Sequence, residues 1–73
     1  MSDIAWYVEA SLIGEAHVYC AGSLAQCVRR WTRLSEAERD TAFIKLHRAT
    51  NGHHRVERPD IEKLAAQPGL WKV

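Results

Sequence analysis

The chain has 73 residues, 10 Lys plus Arg against 9 Asp plus Glu, a formal net charge of +1, 47% hydrophobic residues and 26% charged ones. That length holds one domain, and the apolar fraction with so small a charge excludes an intrinsically disordered chain. No apolar run approaches the roughly 18 residues of a membrane-spanning helix, and Met1-Ser2-Asp3-Ile4 sets no basic stretch ahead of an apolar block, so no export signal, no membrane partner and a cytoplasmic location are expected.

Residues 4–10 read as a strand. Ile4, Trp6, Val8 and Ala10 alternate with Ala5, Tyr7 and Glu9, and the aromatic and β-branched content suits a pleated sheet. Ser11 to Glu15, with Gly14, turns the chain. Residues 16–20 alternate again, which predicts an antiparallel hairpin with Trp6, Val8, Val18 and Cys20 facing inward and Tyr7, His17 and Tyr19 outward. Gly22-Ser23 ends the hairpin, and Ser23 is a suitable N-cap for a helix over 24–34. Its stripe Leu24, Cys27, Val28 and Trp31 falls at i, i+3, i+4 and i+7, opposite Gln26, Arg29, Arg30 and Arg33. Ser35-Glu36-Ala37-Glu38 has the capping-box pattern. It starts a second helix, predicted at about 14 residues, with Ala42, Phe43, Leu46 and Ala49 as its core stripe, Ile44 on its flank and Asn51-Gly52 as its stop.

Residues 53–58 are short and polar, a loop or a brief edge strand. Pro59 fits the first position of a third helix, in which Ile61, Leu64 and Ala65 face inward. Pro68-Gly69 ends it, and the apolar tail Leu70-Trp71-Lys72-Val73 docks, with a strand beside the hairpin as one way to do so. The order gives an α+β domain: an N-terminal antiparallel hairpin, two amphipathic helices, a short extended segment and a third short helix, packed on one face of a small sheet. An all-helical chain is the alternative.

A domain this small buries only about 60% of its unfolded surface and has a stability of a few kcal/mol, so a staple is expected, and a homodimer is the favoured one. Cys20 and Cys27 are expected as separate core thiols rather than a disulfide, because the compartment is expected to be reducing. His17, Cys20, Cys27, His53 and His54 are zinc-binding residue types, but His17-x2-Cys20-x6-Cys27 matches no standard ligand spacing, and no metal or other cofactor is expected. There is no glycine-rich nucleophile turn, phosphate loop or dinucleotide fingerprint, and little room for a substrate pocket. The chain is therefore expected not to be an enzyme.

Two surfaces can bind a macromolecule. Tyr7, His17 and Tyr19 on the outer sheet face, with a ridge of Arg29, Arg30 and Arg33, are of the types enriched at protein interfaces and suited to paired recognition of carboxylates. The alternative is nucleic acid, read by Arg29, Arg30 and Arg33 together with Arg48, His53, His54, Arg55 and Arg58, with His47 in the same cluster. A net charge of +1 is low for that role. In build alone, from its size, a hairpin running into a Ser-capped helix and the lack of a pocket signature, the chain is similar to small phage-encoded inhibitors, anti-CRISPR proteins among them. That resemblance implies occupation of a partner's surface without catalysis. The expectation is a binding protein, an inhibitor or adaptor of bacterial or phage origin, whose partner is another protein.

Overall fold

A computed structural model describes residues 5–50 and 53–72. Among the described residues eight elements follow one another: β1 (Glu9–Ile13), β2 (Val18–Ser23), α1 (Leu24–Trp31), α2 (Glu36–Thr41), β3 (Phe43–Thr50), β4 (His53–Val56), α3 (Arg58–Ala65) and a C-terminal 3-10 turn (Pro68–Lys72). The strands form one antiparallel sheet in the order β2-β1-β3-β4. The fold is α+β with an N-terminal hairpin and helices packed on the sheet. Along β1 and β3 the buried positions alternate: Ala10, Leu12, Ile44 and Leu46 point to the side covered by α1 and α3, and Glu9, Lys45 and His47 point the other way. The core is filled from α1 by Leu24, Ala25, Cys27, Val28 and Trp31, from α3 by Ile61, and from the C-terminal turn by Leu70.

The hairpin forms with a shifted register. Residues 5–8 turn rather than extend, because their carbonyls serve α1: Leu24 and Ala25 donate to the carbonyls of Val8 and Trp6 at 2.8 and 3.1 Å. Those amides belong to the first helical turn and have no partner within the helix. Ile4 lies outside the described residues. The strand then occupies Ser11–Ile13, the stretch expected to turn. In β2 an irregularity in the pairing leaves Tyr19 as the extra residue between the pairs Ile13–Val18 and Leu12–Cys20. Cys20 therefore faces inward beside Leu12, and Val18, expected inward, is turned out beside Ile13. Tyr19, expected outward, packs against the core, with its ring so close over Gly14 that a Cβ there would meet it at 2.4 Å.

The first helix forms behind its predicted cap. Gln26 N–H donates to Ser23 Oγ at 3.2 Å, and Ser23 N–H donates to Gln26 Oε1 at 2.9 Å. Ser35 and Glu38 repeat the reciprocal pattern at α2. The second helix is six residues long, not 14. Ala42 adopts extended backbone, and the chain from Phe43 runs as β3, an inner strand paired with both β1 and β4. Burial accounts for the change. A strand places both Ile44 and Leu46 in the core with Lys45 and His47 in solvent, whereas the helix would leave Ile44 on its flank. Asn51-Gly52, expected as a helix stop, lies outside the described residues. Residues 53–56 are the edge strand, α3 starts one residue before Pro59, and the tail docks through Leu70 as a 3-10 turn instead of a strand. Val73 lies outside the described residues.

Candidate functional site

The side of the sheet opposite α1 and α3 is organised in three rows that the strand register defines. At one end Val18, Ile13 and Phe43 lie side by side across β2, β1 and β3. Val18 is 63% exposed, and Ile13 and Phe43 are half-buried. The Arg55 guanidinium sits 3.8 Å from the Phe43 ring centroid, a cation–π contact that caps the apolar row with positive charge. The next row is Ala21, Ser11, Lys45 and Arg55. At the far end stand Ser23, Glu9 and His47. The face thus grades from apolar through cationic to mixed polar. Sequence reasoning missed it, because the irregularity at Tyr19 and the identity of β3 decide which side chains share it. The alternation of Ile44 and Leu46 with Lys45 and His47 was the available signal.

Ser11, His47 and Glu9 make a linked set on this face. Ser11 Oγ lies 2.8 Å from His47 Nε2, and His47 Nδ1 lies 3.6 Å from Glu9 Oε2. The order is that of a hydroxyl nucleophile, a base and an orienting carboxylate. Acyl transfer also needs N–H donors aimed at the developing oxyanion. Ser11 sits in the middle of β1, where pairing with β2 on one side and β3 on the other engages the backbone. The three side chains act as a cross-strand polar brace.

The structure separates the residues selected from the sequence. Tyr7 is 84% exposed and shares a shallow, solvent-open dip with Val8, Glu9 and Arg48. His17 is exposed, with its ring centroid 6.0 Å from that of Tyr19. Glu15, Ala16, His17 and Tyr19 line a second open dip with Ala37, Glu38 and Thr41 of α2. On α1, Arg29 is half-buried and donates from Nε and Nη2 to the Leu70 carbonyl at 3.2 and 2.7 Å, so it fastens the C-terminal turn. The helix expected over 24–34 ends at Trp31, so Arg30 is exposed on the solvent side of α1 and Arg33 is exposed in the turn that follows it. Arg48, His54 and Arg55 are exposed, His53 opens β4, and Arg55 is ion-paired with Glu57.

Arg58 is engaged within the molecule. Only 25% exposed, it pairs with Glu36 and Asp40 of α2 and lies 3.6 Å from Glu62 of its own helix. The Arg58 hydrogen bond and then its charge hold the Glu36 carboxyl below the usual carboxylate range, and the same hydrogen bond raises the Arg58 guanidinium. Arg39, not selected from the sequence, lies 5.1 Å from the Trp31 ring centroid and donates to the Thr32 carbonyl at 2.6 Å. Among the described residues no group of three or more His, Cys, Asp or Glu side chains is placed to hold a metal ion, and no helix is long and apolar enough to cross a membrane. The chain matches no protein family, no curated protein and no solved structure.

Proposed function

We propose that this is a non-enzymatic binding protein of the cytoplasm that docks on another protein through the helix-free face of its sheet, as an inhibitor or adaptor of bacterial or phage origin does. The observation that carries the reading is the apolar row Val18, Ile13 and Phe43, left partly open beside Lys45 and Arg55. A partner complementary to it has an apolar centre with carboxylates at one border. Interface centres are apolar and aromatic, and charge at the rim sets orientation and encounter rate. Tyr7 lies at the opposite end of the sheet and extends the contact there. Arg30 and Arg33 form a separate ridge, so a partner that holds both surfaces must reach around the molecule.

The test is retention of a partner from nuclease-treated bacterial lysate by the parent protein, by Val18→Asp and by Arg30→Glu. Val18 is already in solvent, so the change leaves the core intact. The expected result is one defined protein held by the parent and by Arg30→Glu and lost by Val18→Asp. Equal retention by Val18→Asp removes the sheet face from the reading.

One observation favours a second reading, nucleic acid. Residues 43–56 carry Lys45, Arg48 and Arg55 and no acid, which leaves a net −2 on the rest of a chain of total charge +1. The three cations lie on β3 and β4, and past Leu46, where the pairing with β1 ends, β3 runs beside β4 alone as a two-stranded ribbon of the kind that fits a major groove. Material held only without nuclease supports this reading.

A further inference from the structure

Cys20 and Cys27, whose spacing gives no reason for them to meet, are brought together by the fold. Cys20 is on the inward side of β2 beside Leu12 and is half-buried. Cys27 is wholly buried on the core side of α1, which packs across β1 and β2. Both side chains belong to the one core layer between β2 and α1, and the Cys27 thiol lies beside that of Cys20 and against the backbone of Leu12 and Gly22. Both are free thiols. We propose that Cys20 and Cys27 are an oxidisable pair, a modification site at which a low-molecular-weight disulfide such as oxidised glutathione converts the two thiols into a bond tying β2 to α1.

Exposure sets the order of events. The Cys20 thiolate attacks one sulfur of the reagent and bonds to it, the reagent's S–S bond breaks, and one small thiol leaves, with a mixed disulfide formed on Cys20. Cys27 then gives its proton to solvent and attacks Cys20 Sγ, and the second small thiol is expelled. The protein loses two electrons and two protons, and the reagent gains them. Burial keeps the Cys27 proton in place, so the second step is the slower one and the mixed disulfide accumulates first. The bond joins the edge strand that carries Val18 to the helix that carries Arg30 and leads into the turn of Arg33. Oxidation therefore stiffens the link between the two candidate surfaces.

The experiment is a time course of intact mass for the native protein in oxidised glutathione, quenched with acid. Peptide mapping without reduction follows. The expected course is one glutathionyl group on Cys20, then a monomer two hydrogens lighter than the starting protein, with Cys20 and Cys27 in one linked peptide. Cys27→Ala, checked for native circular dichroism, stops at the adduct. The proposal is overturned if the adduct in the parent persists as it does in Cys27→Ala, or if Cys20 joins Cys20 of a second molecule. It is equally overturned if Cys20 stays unmodified, or if the linked peptide forms only in denaturant.

Discussion

Burial pushes the Cys27 thiol up to about 12 from an ordinary value of 9.0, with the adjoining Cys20 thiol adding to the shift. The folded protein therefore keeps this proton through a range in which the unfolded chain releases it. Below the ordinary thiol value both states are protonated, and the residue gives stability no pH dependence. Above it the unfolded state binds fewer protons, so stability falls with rising pH until the folded thiol also titrates. The slope for one proton is at most about 1.4 kcal/mol per pH unit. Denaturant melts of the reduced protein at about pH 8 and about pH 10.5, compared with Cys27→Ala, isolate this contribution from tyrosine titration. The parent should lose stability relative to the variant over that interval. Parallel behaviour would show that the thiol ionises as freely in the fold as out of it.

The element held with least apolar burial is α2. No residue of Glu36–Thr41 is buried, so its attachment rests on the Ser35–Glu38 capping box, on Arg39, which reaches Trp31 and the Thr32 carbonyl, and on Arg58, which reaches Glu36 and Asp40 from α3. The Ser35 backbone N–H, with its hydroxyl, holds the Glu38 carboxyl low, and Arg58 does the same for Glu36. A carboxylate held low in the fold contributes stability above its unfolded value and loses it as pH falls through the folded value. Arg58→Ala should lower the melting temperature at neutral pH, and the gap from the parent should narrow as pH falls through the carboxylate range and close only once Glu36 is protonated in the parent as well. A gap of the same size at neutral and acid pH would mean that Arg58 acts through packing of its stem alone. The reach of Arg58 was not legible, since its partners lie 18 and 22 residues away in sequence. The starts of α1 and α2 were legible, because a capping box is local chemistry. The length of α2 was not: Ala42, Phe43, Leu46 and Ala49 fit a helical stripe, and Leu46 serves the strand pattern equally well. The flanking position that a helix gives Ile44 was the sign that period two was correct. Nothing local marks Tyr19 as the extra residue of β2, and that single residue decides whether Val18 is core or surface.

Across the whole molecule the charge is divided, and the division is what a partner meets. The acid-free strands β3 and β4 make up one side of the sheet, with β4 at its edge, and the acids that balance them are concentrated in α2 and α3, where Glu36, Asp40 and Glu62 surround Arg58. A duplex engaging the ribbon is contacted by at most Lys45, Arg48 and Arg55 as full cations. Each phosphate neutralised releases counterions, and the slope of log affinity against log salt is about −0.9 per contact, so three contacts give about −2.7. Lys45→Ala should then reduce the slope by about one and weaken every sequence alike. A protein seated on Val18, Ile13 and Phe43 loses water from apolar surface instead, and its affinity depends on salt only through the charged border. Its complex should therefore survive high salt and fail with Val18→Asp, while Lys45→Ala mainly slows association. Salt titration of the captured complex, run with the parent and both variants, places the interface. A steep slope with indifference to Val18→Asp puts it on the basic ribbon, and a shallow slope with loss in Val18→Asp puts it on the apolar row.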